Sequence, residues 1–130
     1  MKKYISAFLF LLGCISLVNA QTSGPQMTFE KKMHDFGEIT EGTNVKYTFT
    51  YTNTGTDTLI VSRVISSCGC TVPEDFTKVI PPGQKGTITV EFRSAGKVGI
   101  FTKSLTILNN MDTPEPILLY IRVNVLMPKP

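Results

Sequence analysis

Thiols are scarce in this chain of 130 residues, which holds three cysteines, and one of them, Cys14, lies in an apolar N-terminal segment. The other two stand one residue apart in Ser67-Cys68-Gly69-Cys70-Thr71, so sulfur chemistry beyond that segment is confined to one pair. Histidine is scarcer still, with His34 alone. A single imidazole and no nucleophile-elbow sequence leave a hydrolytic nucleophile–base–orienter set without members. No Lys/Arg cluster occurs beyond the first residues, which removes the electrostatic footprint that a phosphate backbone demands and excludes nucleic acid as a partner. A glycine-rich phosphate cradle is also missing, and no stretch sustains a 3.6-residue apolar period, so little helix is expected. Past the N-terminal segment no apolar run reaches the ~20 residues that span hydrocarbon, because Arg122 and Asn124 interrupt Ile117 to Met127.

What is present begins with a leader. Met1-Lys2-Lys3 carries positive charge into the apolar run Tyr4 to Val18, and Val18-Asn19-Ala20 puts small or modest side chains where a signal peptidase reads. Cleavage is expected after Ala20, giving an exported chain in the periplasm, at the cell surface or outside the cell. A lipoprotein is the alternative, since Leu11-Leu12-Gly13-Cys14 resembles a bacterial lipobox with Cys14 as the lipidated residue. Against it, Ile15 to Val18 continues the apolar run past that cysteine. Removing the first 20 of 130 residues leaves 110, enough for one domain. Lys2 and Lys3 depart with the leader, so 11 of the 13 basic residues face 10 acidic ones and the formal charge falls from +3 to +1.

Alternation dominates the remainder. Val45, Tyr47, Phe49 and Tyr51 interleave with Lys46, Thr48, Thr50 and Thr52, the pattern of a strand with one buried face. Asn53 to Asp57 reads as a turn into a second strand from Thr58, so a hairpin is expected there. Ile80-Pro81-Pro82-Gly83-Gln84 is a strong turn signal before Ile88, Val90 and Phe92 alternate with threonine and glutamate. Phe101, Leu105 and Ile107 form another core-facing set, and Ile117 to Val125 is expected to be the longest strand. With short strands near Met27 and Phe36, about seven strands result. The expected fold is an all-β, antiparallel β-sandwich over residues 27–127, after a leader at 1–20 and a flexible tether at 21–26.

Several separated motifs carry a resemblance. His34-Asp35-Phe36-Gly37-Glu38-Ile39, Gly42, Asn53-Thr54-Gly55, the run from Leu59 into Ser67-Cys68-Gly69-Cys70-Thr71, and Pro82-Gly83 together resemble the bacterial DUF1573 domain. The resemblance implies an immunoglobulin-like sandwich of the ASH, MSP and HYDIN group, whose members are protein-interaction modules and not enzymes. Asp35-Phe36-Gly37 is not a kinase signature here, because the Gly-rich loop, catalytic loop and strand lysine that accompany it are missing.

The cysteine pair admits three readings. In an extended strand, residues i and i+2 lie ~6.6 Å apart at Cα, near the upper limit for a disulfide, so a Cys68–Cys70 bond needs a bend that Gly69 would permit. Closing three residues stabilises by only about 1.6 kcal/mol in the chain-entropy model, a poor reason for such a bond. A purely structural pair, thiol exchange, and binding of a soft ion such as Cu(I) therefore stand side by side. Two ligands are too few for a closed zinc site, and nothing in the spacing brings His34 to them. His34 itself is expected at a strand end or turn, hydrogen-bonding locally.

No catalytic residue and no cofactor is expected. Adjacent Glu74 and Asp75 would face opposite sides of a strand and make no acid–base pair. The expected role is a non-enzymatic binding or assembly module of the bacterial cell envelope. Ser67, Gly69, Thr71, Asp75 and Phe76 form the candidate protein-binding loop, with another envelope protein as partner. The alternative is a thiol-redox or Cu(I)-handling protein working through Cys68 and Cys70.

Overall fold

The computed structural model describes residues 24–113 and 115–129. The leader, its cleavage after Ala20 and the candidate lipidation site Cys14 lie outside the described residues. Nine strands follow in order: β1 (Met27–Phe29), β2 (Met33–Thr40), β3 (Asn44–Asn53), β4 (Leu59–Ser66), β5 (Thr71–Phe76), β6 (Val79–Ile80), β7 (Lys85–Arg93), β8 (Gly99–Asn109) and β9 (Ile117–Leu126). They form two sheets, one ordered β1-β3-β7-β5 and the other β2-β9-β8-β4-β6. The protein is thus an all-β sandwich, as the alternation requires.

The core lies between the sheets, where each strand contributes every second side chain. Phe49, Tyr51, Ile88, Val90 and Phe92 come from the four-stranded sheet, and Leu105, Ile107, Leu119, Ile121 and Val123 from the other; all are fully or almost fully buried. At about 1.5–3 kcal/mol for each large side chain removed from water, this layer supplies most of the favourable free energy. Burial also pushes the Tyr51 phenol up to about 12, since the phenolate would lose its hydration there.

Four expectations are corrected. The chain from Asn53 to Leu59 closes no hairpin: β3 pairs with β1 and β7, whereas β4 pairs with β6 and β8, so this segment crosses between the sheets. Nine strands replace about seven because β5 and β6 occupy sequence without clean alternation. In β5, Pro73 and the acidic pair sit at a bulge where register shifts between Pro73 and Asp75. The sandwich is not purely antiparallel, since β2 runs parallel to β9, with Met33 opposite Tyr120 and Thr40 opposite Leu126. The longest strand is β8, with 11 residues against 10 for β9.

The crossing segment is organised by Asn53. Its backbone N–H donates to the Gln84 carbonyl at 2.9 Å, and its carbonyl accepts from Gly83 N–H at 2.8 Å. Its side-chain amide donates to the carbonyls of Asp57 and Ile80, both at 2.8 Å, while Oδ1 accepts from Gln26 at 3.3 Å and Gly55 at 3.0 Å. Two glycines are required here. Gly83, at φ 80°, follows Pro82 in a turn closed by Gln84 N–H to Pro81 O, where only a residue free of Cβ sits without strain. Gly55 lies so close to the Gly24 backbone that a Cβ would overlap it. Residues 24 to 26, expected within a flexible tether, are held by these bonds and by the exchange of hydrogen bonds between Gly24 and Thr56.

Asn53→Ala removes four side-chain hydrogen bonds from a fully buried site and leaves their partners without water. The expected loss is about 3–5 kcal/mol, read as a lower urea midpoint. Asn53→Asp, which keeps the acceptor but sets a carboxylate against two carbonyls, is expected to lose at least as much.

Candidate functional site

Four residues, Ser67 to Cys70, carry the chain from β4 in one sheet to β5 in the other. Both flanks of this crossing are pinned. Ser67 exchanges two hydrogen bonds with Ser104 of β8: its N–H donates to the Ser104 carbonyl at 2.9 Å, and its Oγ accepts from Ser104 N–H at 3.1 Å. On the other side, Arg93 N–H of β7 donates to the Cys70 carbonyl at 2.7 Å, and Ser66 Oγ donates to the Cys68 carbonyl at 2.8 Å. Between these anchors the chain turns, drawing the Cα atoms of Cys68 and Cys70 to 5.5 Å, and the two sulfurs are joined in a disulfide. Gly69 is exposed, has no positive φ, and a Cβ on it would meet nothing within 4 Å. The bend comes from the anchors and not, as expected, from glycine freedom.

One buried hydroxyl lies beside the sulfurs, and two cationic residues line the space next to them. Thr71 is buried, with its hydroxyl 3.8 Å from Cys68 Sγ and 4.0 Å from Cys70 Sγ. Arg93 and Lys97 line an open depression of about 350 Å3 together with Cys68, Gly69, Cys70 and Ala95. The loop bearing Lys97 is itself held, because Gly96 N–H donates to Glu41 Oε1 at 2.7 Å and Lys97 N–H to the Ser94 carbonyl at 2.9 Å. Arg93 Nε donates to Glu91 Oε1 at 2.7 Å, a charged hydrogen bond that holds the Glu91 carboxyl below the usual carboxylate range. Glu91 in turn lies 3.7 Å from Lys46, which pairs with Glu74 at 2.8 Å. Glu74 therefore belongs to a row of alternating charge on the four-stranded sheet.

His34 lies at the start of β2, at a strand end as expected. It occupies β2 opposite Ile121 and points between the sheets, where its ring stacks on Tyr47 at 3.7 Å between centroids and meets the edge of Phe36 at 4.7 Å. The expected local hydrogen bond is not made: Nδ1 is buried without a partner. Among the described residues no three His, Cys, Asp or Glu side chains converge to hold a metal. Desolvation, followed by the charge of Lys31, lowers the His34 pKa from its ordinary 6.5, with Asp35 opposing. A depressed folded-state pKa means that protonation favours the unfolded chain. Stability is therefore expected to hold above pH 6.5 and to fall as pH drops below it. His34→Phe keeps the stack and removes the unpaired nitrogen. Unfolding at a series of pH values is expected to show an equal or higher midpoint for this variant, and to lack the histidine-linked loss.

The candidate binding loop divides. Ser67, Gly69 and Asp75 are exposed, Thr71 is buried beside the disulfide, and Phe76 is partly buried against the core. A different surface was hidden in the strand patterns. Of the ten large hydrophobic side chains exposed among the described residues, eight project outward from the five-stranded sheet: Met33, Ile60, Ile65, Val79, Ile100, Leu108, Tyr120 and Leu126. The outer face of the other sheet carries Lys46, Thr48, Thr50, Thr87, Thr89 and Glu91 instead. The signal was present in Ile117-Leu118-Leu119-Tyr120-Ile121, where both parities are apolar, as in strands covered on both faces. Arg93 and Lys97, 23 or more residues beyond Cys70, had no sequence signal linking them to the sulfurs.

The architecture is that of a small two-sheet sandwich domain with a disulfide-bearing crossing at one end. The chain belongs to the DUF1573 family, described as a protein of unknown function, whose model matches residues 27–125. No curated protein matches it. Among solved structures it is similar to a protein of unknown function from Porphyromonas gingivalis W83, with TM-score 0.68 and 14% identity over 80% of this chain and 48% of that one. It is also similar to part of the VesB protease of Vibrio cholerae, with TM-score 0.64 and 14% identity over 76% of this chain and 32% of that one. The secreted serine protease VesC of the same organism gives 0.61 and 14% over 85% and 25%. The chain thus spans about half or less of each of these proteins, and at such identities the likeness concerns the fold alone.

Proposed function

We propose that this chain is an exported, non-enzymatic binding module of the bacterial cell envelope that docks another envelope protein on the outer face of its five-stranded sheet. The observation that carries this reading is the asymmetry of the two outer faces. One is a lattice of threonines and paired charges, including the Thr48–Thr89 hydroxyl bond at 2.9 Å; the other gathers eight of the ten exposed large hydrophobics. Apolar surface gathered on one face of a small domain marks an interaction site, whereas scattered single side chains do not.

The chemistry of the face defines the partner. Leu118, Thr106 and Ile65 form one cross-strand row, Met33, Tyr120 and Ser104 the next, and Arg63 stands opposite Leu108. A partner with a flat apolar surface and a carboxylate placed to meet Arg63 fits this arrangement, with Tyr120 as the aromatic anchor of the kind that dominates interface energetics. Exposed Ser67, Gly69 and Asp75 lie outside this patch and contribute at its margin at most.

The test is capture of envelope proteins on the mature chain, in parallel with Ile65→Asp/Tyr120→Asp and with Thr48→Lys on the opposite face. Each variant is expected to unfold within about 1 kcal/mol of the parent, since all three positions are exposed. The parent and Thr48→Lys are expected to retain the same protein and the double variant to lose it. Equal retention by all three overturns the reading. So does a parent that dimerises through this face, seen by light scattering, in place of binding another protein.

A further inference from the structure

The disulfide crossing has a chemistry that the docking face does not use. A sulfur pair that served only to brace the loop would need nothing around it, because Ser66, Ser67, Ser104 and Arg93 already hold both flanks through hydrogen bonds. Yet the sulfurs border an open depression that Arg93 and Lys97 also line, and they lie beside a buried hydroxyl that, among the described residues, finds no partner but them. Each of these groups favours a negatively charged sulfur. Cations beside a cysteine stabilise thiolate over thiol, and a hydroxyl donates a hydrogen bond to a thiolate more strongly than to a thiol or disulfide.

We propose that Cys68–Cys70 is a redox-active disulfide that accepts electrons from a thiol carrying negative charge close to its sulfur. The partner thiolate approaches through the depression and attacks one Sγ. A sulfur–sulfur bond forms between partner and protein as the Cys68–Cys70 bond breaks, and the bonding pair leaves on the other cysteine as a thiolate. That thiolate accepts a hydrogen bond from Thr71 Oγ1 and borders the depression that Arg93 and Lys97 line. A second thiolate, from the same partner or another molecule, then attacks the partner sulfur, releasing the second cysteine. The partner leaves as a disulfide, oxidised by two electrons, and the two protons of its thiols end on Cys68 and Cys70. The return reaction with an oxidised partner restores the protein disulfide.

Arg93 and Lys97 also select the partner. Glu91 neutralises part of the Arg93 charge through Nε, so Lys97 is the cation with no carboxylate within ion-pair distance among the described residues. The depression therefore attracts an anionic thiol and repels a cationic one. This site is independent of the apolar face: Ile65→Asp/Tyr120→Asp leaves it intact.

The test uses the mature full chain under native conditions with three small thiols, mercaptoethanesulfonate, mercaptoethanol and cysteamine, which are anionic, neutral and cationic. Reduction is followed by alkylation and intact mass, and rates are expressed per thiolate. The sulfonate is expected to react about tenfold faster than cysteamine at low salt, with the difference shrinking as salt rises. Lys97→Gln is expected to remove most of that preference while folding normally, its position being on a surface loop. Thr71→Val is expected to slow all three thiols alike and keep their order, a pattern that a merely structural role would not produce. A disulfide that resists all three thiols until the chain unfolds overturns the proposal, as does a rate order indifferent to charge or to Lys97.

Discussion

The sandwich depends on one buried side chain that satisfies the backbone where strands from different sheets must part. Asn53 lies at the end of β3, where the chain leaves one sheet for the other and where no ladder remains to pair the exposed peptide groups. Its amide supplies two donors and its oxygen two acceptor positions, all of them used by the backbone of Gln26, Gly55, Asp57 and Ile80. An unpaired peptide group buried at such a crossing costs as much as a lost hydrogen bond, so one asparagine stands in for a missing strand neighbour. The main chain of the same residue ties in the Pro81–Gln84 turn. Through these six bonds β1, β3, β6 and the start of β7 share one junction, and the two apolar layers are set at a common depth.

That junction also accounts for why separated motifs occur together. Asn53-Thr54-Gly55 and Pro82-Gly83 look like independent turn signals in the sequence, 27 residues apart from Asn53 to Ile80 in the contact that joins them. In space they are one structure: the asparagine needs the Gly83 turn to bring carbonyls within reach, and the Gly55 position must be bare to let Gly24 pass. The disulfide crossing at the opposite end solves the same problem differently. There the chain again moves between sheets, but the bonds come from Ser66, Ser67 and Arg93, and a covalent link replaces the buried amide.

Much of the fold was legible because β3 and β7 alternate cleanly and β8 and β9 each keep one predominantly apolar parity, and a period of two fits a strand and no helix. The short β6 and the bulged β5 were not legible, since Pro73-Glu74-Asp75 reads as a loop and two residues carry no period at all. Topology was less accessible still. A turn-rich stretch such as Asn53–Asp57 is equally compatible with a hairpin or a crossing, and only the partners of β3 and β4 decide between them. At the candidate site the sulfurs could be named from the sequence, but their surroundings could not. Thr71 reads in the sequence as part of an exposed loop, although its parity in β5 places it inward opposite Phe92. His34 reads as a local hydrogen-bonding residue, whereas stacking on Tyr47 places its ring where no donor or acceptor reaches Nδ1.

The parallel pairing of β2 with β9 bears on how the domain would respond to mechanical load. The described chain begins beside the Asn53 junction, where Gly24 meets Thr56, and β9 finishes at the other end, where Glu41 N–H donates to the Leu126 carbonyl. Tension applied across these ends runs along the β2–β9 ladder, so its bonds between Met33–Tyr120 and Thr40–Leu126 resist together in shear and cannot open one at a time like a zipper. The three-residue β1 would peel first, leaving the remaining sandwich clamped by its first long strand against its last.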